Sequence, residues 1–326
     1  MSGRASARAR LLDQAGWSGA EEDPLPGDAS FRRYIRLRRD GASAMLMDSP
    51  PDSEPLAPFL DIAARLRRLG LAAPSILAAD VAAGFALLED FGDETFARAL
   101  AAGAPAATLY DQAIDVLIAL RRAAAADPAA ISSAPPYDAA AMAAEAGLFT
   151  QWWLPAAGLT PDPGRFGEAV AELAAFASAG RETLVLRDYH VENLMRRAGR
   201  SGLDACGLLD FQDARLGPAA YDVVSLVDDA RRDVTDAEAA RLEARYAAAF
   251  DDYDPSVAAA LSALRSLKIL GIFVRLAKRD GKPRYLAHLP RVWRMLERRL
   301  THPRLSTLAE WIDAAAPPHA RGRVAA

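Results

Sequence analysis

Hydrophobic and polar residues alternate in the first part of the chain and recur at helical spacing in the rest. Phe31–Arg38 alternates with a period of two and predicts a strand, and Ala44–Met47 predicts a second one. Asp40-Gly41 between them is typical of a hairpin turn. Apolar residues at helical spacing predict one helix from about Ser53 to Gly70. Two more short strands follow, at Ile76–Ala79 and Phe85–Leu88.

Helical spacing dominates from Asp93 onward. The predicted helices are Pro105–Ala126, Asp138–Trp153, Gly164–Ala179, Asp236–Phe250, Ser256–Lys278 and Arg284–Leu300. Short apolar runs inside this region predict strands at Thr183–Leu186, Leu194–Arg196 and Cys206–Leu209. The pattern predicts an α+β fold of two lobes. The first, residues 1–92, is small and β-rich with one helix, and the second, residues 93–326, is larger and mainly helical.

Composition excludes several classes of function. The formal net charge of -4 and the pI near 5.7 argue against a nucleic acid partner. Cys206 is the single cysteine, so no internal disulfide and no cysteine-only metal site is possible. We find no charge-free apolar stretch of about 18 residues, and therefore predict no membrane span. The oligomeric state is not predicted by any of these features.

The strongest chemical pattern lies in the strands inside the helical region. Arg187-Asp188 is followed five residues after the aspartate by Asn193, and Asp210-Phe211 comes after the next predicted hairpin. Phosphoryl transfer needs a carboxylate that orients the attacking hydroxyl and hard oxygen ligands for Mg²⁺. This spacing is that of a kinase catalytic loop. We therefore predict Asp188 as the base and Asn193 with Asp210 as the Mg²⁺ ligands.

A literal D-F-G occurs earlier, at Asp90-Phe91-Gly92. The metal-binding aspartate of kinases follows the catalytic loop, whereas this tripeptide precedes it by about a hundred residues. We predict instead that Glu89, Asp90 and Phe91 form the hinge between lobes, where backbone groups contact adenine. The turn Gly27-Asp28-Ala29-Ser30 before the first strong strand is predicted to cover the nucleotide phosphates with backbone N–H groups.

These motifs together resemble the aminoglycoside phosphotransferase/choline kinase superfamily. Within it the chain is most similar to the bacterial anomeric N-acetylmuramate/N-acetylglucosamine kinases of cell-wall recycling. The resemblance spans roughly residues 27–226. It is carried by G-D-A-S-F-R-R-Y from Gly27, M-D-S-P-P from Met47, L-L-E-D-F-G-D from Leu87, R-D-Y-H-V-E-N-L-M from Arg187, D-F-Q-D-A from Asp210, Gly217-Pro218 and Tyr221-Asp222.

The resemblance implies a protein-kinase-like fold and a cytoplasmic enzyme of peptidoglycan recycling. Such an enzyme uses ATP and Mg²⁺ to phosphorylate the C1 hydroxyl of a small amino sugar. His190 and Asp213 flank the predicted site, and we expect them to contact the sugar. Asp222 is expected to bond the backbone of the catalytic loop.

The chain departs from the family pattern at two places. Many relatives carry histidine two positions before the catalytic aspartate, where this chain has Leu186. Kinases also pair a strand lysine with a helix glutamate, and the first lobe contains no lysine. Positive charge for the phosphates must then come from arginine, and we predict that one of Arg32, Arg33 and Arg36 supplies it.

Two other functions are compatible with the sequence. One is a different small-molecule kinase of the same superfamily, such as one acting on aminoglycosides, whose polycationic substrates require acid-rich pockets. The other is a nucleotide-binding pseudokinase that serves as a scaffold. The missing lysine favours the scaffold, and the presence of Asp188, Asn193 and Asp210 together argues against it.

Overall fold

The computed structural model describes residues 3–27, 31–160, 162–179, 182–322 and 324. The strands are β1 (Glu21–Pro24), β2 (Arg33–Arg39), β3 (Ala42–Asp48), β4 (Ile76–Asp80), β5 (Phe85–Glu89), β6 (Glu182–Val185), β7 (Leu194–Arg196), β8 (Cys206–Leu208) and β9 (Arg215–Pro218). The helices are α1 (Gly3–Gln14), α2 (Ala57–Arg68), α3 (Phe96–Ala101), α4 (Ala106–Ala126), α5 (Ala139–Ala146), α6 (Leu154–Ala156), α7 (Pro163–Ser178), α8 (Tyr221–Val227), α9 (Asp236–Ala247), α10 (Pro255–Lys278), α11 (Leu289–Leu300) and α12 (Ser306–Ala315).

The chain divides into two compact units. One contains the residues up to Val116 together with Val191–Asp213, and the other contains Leu117–His190 together with the residues from Ala214 onward. This division differs from the predicted lobe boundary after residue 92, because the β7–β8 hairpin belongs to the first unit. The amide of Ala97 in α3 donates to the carbonyl of Val191 at 3.0 Å. The functional boundary of the lobes stays a prediction.

An antiparallel sheet with strand order β1-β2-β3-β5-β4 forms the centre of the first unit. The alternation that predicted β2 places Ile35 and Leu37 on one face, opposite Leu46 and Ala44 of β3. This face is buried in a small core to which α1 contributes Leu11 and Leu12. The other face presents Tyr34 and Arg36.

Helix α1 corrects one detail of the predicted fold, because the described part of residues 1–92 contains two helices rather than one. Its apolar residues Ala7, Leu11 and Leu12 are buried, but arginines interrupt the pattern and obscured it in the sequence. Arg4 forms an ion pair with Asp48 at the end of β3. The α+β class, with a β-rich first part and a larger helical part, is confirmed.

The second unit is built around α10. This helix contacts α5, α7, α8 and α11, and most of its residues are buried. Its length and apolar composition would also suit a membrane span, but 78% of its most apolar window is buried inside the protein. Trp153 and Trp293 pack beside it with their ring centroids 4.8 Å apart. Trp153 is therefore a core residue.

The predicted helices begin and end close to the observed ones except at two places. Asp138–Trp153 is divided into α5 and a π-helical segment, Phe149–Trp153. Arg284–Leu300 begins with a 3-10 segment, Pro283–His288, before α11. Strand β6 pairs with β9, which the sequence did not predict. This pairing matters because β6 leads directly into the predicted catalytic loop and β9 leads into α8.

Candidate active site

Helix α8 holds the backbone of the predicted catalytic loop. The carboxylate of Asp222 accepts the amide of Leu186 at 2.6 Å and that of Arg187 at 2.9 Å. The expected support by Asp222 is thus confirmed. Burial raises the pKa of the Asp222 carboxyl to about 7, although the two N–H bonds oppose the shift. Arg187 has a φ of 72°, and the two bonds hold this left-handed conformation just before Asp188.

The side chain of Arg187 is fixed by a network inside the second unit. Its guanidinium forms an ion pair with Glu145 and lies 5.2 Å from the centroid of the Tyr137 ring. Glu145 also accepts from Lys268 at 3.0 Å and from the Tyr137 hydroxyl at 2.6 Å. Positive charge outweighs burial here, so the pKa of Glu145 is lowered and the carboxylate stays ionised.

The charge on Asp188 is stabilised by cations from several elements. Burial raises the pKa of this carboxyl, but nearby positive charges outweigh burial and hold the pKa below its ordinary value. The groups among them that carry a positive charge at pH 7 are Lys268, Arg187 and Arg265. Asp188 is partly exposed. An ionised, accessible carboxylate is what the orientation of a substrate hydroxyl requires.

His190, two residues after Asp188, is buried with 4% of its surface exposed. Its Nε2 lies 3.1 Å from Nη1 of Arg231. Burial and the charge of Arg231 lower the pKa of His190 to about 4. The ring is therefore neutral at pH 7, and Nε2 accepts a hydrogen bond from the guanidinium. Asp213, the other predicted sugar contact, is exposed in the first unit.

The two predicted metal ligands meet in the first unit. Nδ2 of Asn193 lies 3.3 Å from Oδ2 of Asp210, and Gln212 donates to Oδ1 of Asp210 at 2.9 Å. Asp210 has a φ of 57° and its side chain is exposed, whereas Phe211 beside it is buried and stacks on Phe59 at 5.0 Å.

This amide–carboxylate pair fits a Mg²⁺ ion, since Mg²⁺ in phosphoryl transfer enzymes uses one or two protein oxygens and completes its shell with phosphates and water. In the described part of the chain, no group of three or more His, Cys, Asp or Glu side chains is arranged to hold a metal alone. The donor set therefore suits a metal that arrives with a nucleotide.

The segment Glu89–Asp93 is held by side chains of the first unit. Arg36 donates from Nε to Asp90 Oδ2 at 2.7 Å and from Nη1 to Asp93 Oδ1 at 2.7 Å. Only 4% of the Asp90 side chain is exposed. Glu89 forms an ion pair with Arg197 and accepts from Ser75. The carboxylate of the literal D-F-G is therefore bound in an ion pair with Arg36.

The three arginines predicted to contact phosphate have different surroundings. Arg32 is buried and its Nη2 lies 3.0 Å from Oε2 of Glu54. Arg36 is bound by Asp90 and Asp93, so its guanidinium holds the segment Glu89–Asp93. Arg33 is exposed on the face of Ile35. In the predicted turn only Gly27 is described, while Asp28, Ala29 and Ser30 lie outside the described residues.

The sequence profile of the phosphotransferase enzyme family matches residues 21–261, which include Asp188, Asn193, Asp210 and Asp222 but not Arg265 and Lys268. The chain belongs to the phosphotransferase enzyme family. This phosphotransferase is a kinase and uses a nucleotide as phosphoryl donor.

Comparison with known proteins agrees with this assignment. An N-acetylmuramate/N-acetylglucosamine kinase of Caulobacter vibrioides is 37% identical, over 98% of each chain. A choline/ethanolamine kinase family protein from Mesorhizobium loti has a similar structure, with a TM-score of 0.61, 14% identity, and coverage of 95% of this chain and 99% of that one.

A solved structure of the ADP-bound aminoglycoside phosphotransferase APH(2'')-Ib also has this fold. Its TM-score is 0.56 at 13% identity, with coverage of 90% of this chain and 97% of that one. The predicted protein-kinase-like fold and superfamily are confirmed.

Several residues around the phosphotransferase site were missed by sequence reasoning. Glu145, Lys268 and Arg231 lie 43 to 80 residues away from Asp188, and no local pattern marks them. The rarity of lysine was a usable signal, because Lys268 lies inside an apolar helix. Arg36 was noticed, but its carboxylate partners 54 and 57 residues away were not.

Proposed function

We propose that this phosphotransferase transfers the γ-phosphoryl group of ATP to the C1 hydroxyl of N-acetylmuramate, N-acetylglucosamine or both, in peptidoglycan recycling. The observation that carries the proposal is the 37% identity with the Caulobacter kinase of that name over nearly the whole of both chains. The first alternative, a kinase for another small molecule, has no comparable relative among these comparisons. The C1 position comes from the resemblance in the sequence motifs.

Asp188 is the proposed catalytic base. It orients the attacking hydroxyl and accepts its proton as the bond to phosphorus forms. Cations keep its carboxylate ionised, and Asp222 fixes the backbone before it at two amides. The ion pair between Arg187 and Glu145 fixes the residue directly before Asp188 and so helps to position the base.

Asn193 and Asp210 are the proposed Mg²⁺ ligands. When bound with ATP, Mg²⁺ neutralises negative charge on the phosphates. Asp210 supplies the carboxylate, and the amide of Asn193 can turn its oxygen inward in place of the nitrogen now facing Asp210. Gln212 holds the second oxygen of Asp210 and limits its rotation.

Arg32 is the proposed phosphate-binding arginine, together with the Gly27–Ser30 turn. Its ion pair with Glu54 has the chemistry of the lysine–glutamate pair in other kinases. Burial raises the pKa of the nearby Tyr34 hydroxyl to about 12, and the charges of Arg32, Asp210 and Glu54 also act on this pKa. The hinge segment Glu89–Phe91 remains the proposed adenine contact.

Charge around the base supports a neutral or anionic sugar rather than an aminoglycoside. The side chains that act on Asp188 are mainly cationic, and the buried acids beside it are already bonded. Asp222 binds backbone amides and Glu145 binds two cations. A polycationic substrate would meet repulsion here. We place the reaction in the cytoplasm, where ATP is available.

A panel assay tests the proposal. ATP consumption is measured with N-acetylglucosamine, N-acetylmuramate and kanamycin, and the product is examined by ³¹P and ¹H NMR. We expect a sugar 1-phosphate from at least one amino sugar and none from kanamycin, with Asp188→Ala as the inactive control. Phosphorylation of kanamycin alone would support the aminoglycoside alternative. Nucleotide binding without transfer to any acceptor would support the pseudokinase scaffold.

A further inference from the structure

The loop after α8 brings a cation beside the catalytic loop. Arg231 lies nine residues after Asp222 and contacts the ring of His190, which is itself two residues after Asp188. Both the catalytic loop and the loop with Arg231 are therefore attached to the same short helix. Two links therefore place the Arg231 guanidinium relative to Asp188. One is the shared helix α8, and the other is the contact with His190.

Buried contacts fix the backbone of this loop. Oδ1 of Asp229 accepts the amide of Arg231 at 2.8 Å, and Asp229 is only 1% exposed. Arg291 of α11 donates to the carbonyl of Ala230 at 3.2 Å and forms two bonds of 2.8 Å with Asp233. Arg231 is thus presented from an ordered turn, and its side chain keeps partial exposure.

Arg231 is oriented by its contact with His190. The imidazole is neutral at pH 7, so Nε2 accepts a hydrogen bond from the guanidinium. A guanidinium carries five N–H donors in a planar fork and can contact a ring nitrogen and a carboxylate together.

We propose that Arg231, oriented by His190, binds the carboxylate of an anionic sugar substrate and so determines how well the enzyme accepts a sugar acid. This inference rests on the proposed function. N-Acetylmuramate differs from N-acetylglucosamine by a lactyl ether that carries one carboxylate. A cation beside the acceptor site therefore affects one of the two sugars and leaves the other unchanged.

The test compares kcat/KM for the two sugars in the wild type, Arg231→Leu, Arg231→Lys and the neighbouring control Arg232→Leu. We expect Arg231→Leu to lower kcat/KM for N-acetylmuramate by about tenfold to a hundredfold, the usual effect of losing a charged hydrogen bond. The value for N-acetylglucosamine should stay near that of the wild type. Arg231→Lys should recover part of the loss, and Arg232→Leu should change neither sugar.

The two sugars separate recognition from general damage. Equal loss on both sugars in Arg231→Leu would mean that Arg231 only supports the loop, and it would overturn the inference. Unchanged turnover of N-acetylmuramate would overturn it as well. In either case the wild type still phosphorylates the amino sugars, so the proposed function stands. If the wild type phosphorylates neither sugar, the proposed function and this inference both fail.

Discussion

Two tripeptides of the first unit begin with the same two residues and have opposite surroundings. Asp90-Phe91-Gly92 matches the kinase metal motif letter for letter, but its carboxylate is buried and bound by Arg36. Asp210-Phe211-Gln212 departs from the motif, but its carboxylate is exposed beside Asn193. Neighbouring charge and exposure, rather than the letters, decide which aspartate can bind a metal.

The phenylalanines of the two tripeptides, Phe91 and Phe211, also have different surroundings. Phe91 lies under the guanidinium of Arg197 at 4.3 Å and against Gly207, where an added Cβ would come within 2.7 Å of the ring. Phe211 is buried and stacks on Phe59 of α2. The first tripeptide therefore fixes a connecting segment, and the second attaches the proposed metal ligand Asp210 to the core.

Replacement of Asp210 by alanine should have the largest effect on activity. Loss of the charged metal ligand removes charge stabilisation at the phosphates, and we expect kcat to fall by about 10³-fold or more. The side chain is exposed, so the midpoint of thermal unfolding should change little. Steady-state assays and a melting curve check both statements. Asp213→Ala is the comparison variant: as a predicted sugar contact it should change the KM for the sugar and leave the Mg²⁺ dependence as in the wild type. If it alone lost the Mg²⁺ dependence, Asp213 would be the metal ligand.

Asp188→Asn extends the comparison from metal binding to proton transfer. The amide keeps the size of the side chain but cannot accept a proton, so we expect kcat to fall by about 10²-fold or more. The affinity for ATP, measured by calorimetry without sugar, should stay near that of the wild type. Turnover close to normal would remove Asp188 from the role of base.

Asp90→Asn should affect stability more than chemistry. The change leaves Arg36 buried with Asp93 as its remaining carboxylate partner, and loss of a buried partner costs about 3 kcal/mol in the free energy of unfolding. Urea denaturation measures this cost. At a temperature where the variant is folded, kcat should fall only several-fold. A variant that unfolds like the wild type but has lost all activity would contradict the structural role of Asp90.

Arg32→Ala should have the smallest effect of the four changes. It tests whether Arg32 contacts the nucleotide phosphates. One lost charged contact to phosphate should raise the KM for ATP by about tenfold. Arg33 lies on the opposite face of the sheet, so Arg33→Ala should leave the KM unchanged. If both variants keep wild-type kinetics, backbone N–H groups and Mg²⁺ alone bind the phosphates.

Much of the fold follows from local patterns. Period-two alternation predicts β2 and β3, and helical spacing predicts α2, α4 and α10, since each buries one face or its whole surface. Helix α1 was not predicted as a packed element because arginines surround its three buried residues. Helices α3 and α12 were also missed, and α3 is too short for periodicity to be informative.

The candidate site likewise has residues that local sequence patterns predict and residues that they do not. The catalytic-loop spacing marks Asp188 and Asn193 because they are five residues apart in the sequence, and the hairpin of β7 and β8 brings Asp210 beside Asn193. The support by Asp222 followed from its place at the start of an apolar helix. The pairing of Arg36 with Asp90 and of Glu145 with Arg187 depends on residues 54 and 42 positions apart. Such partners are set by tertiary packing, which a single sequence does not display.

The assignment of Asp210 rather than Asp90 as the metal ligand is tested most directly by measuring metal binding. Mn²⁺ replaces Mg²⁺, and the electron paramagnetic resonance signal of free Mn²⁺ is followed as ADP and protein are added to the wild type, Asp90→Asn and Asp210→Asn. We predict that Asp90→Asn binds Mn²⁺·ADP like the wild type and that Asp210→Asn loses most of the metal binding. Retained binding in Asp210→Asn with loss in Asp90→Asn would contradict the assignment of Asp210 as the metal ligand.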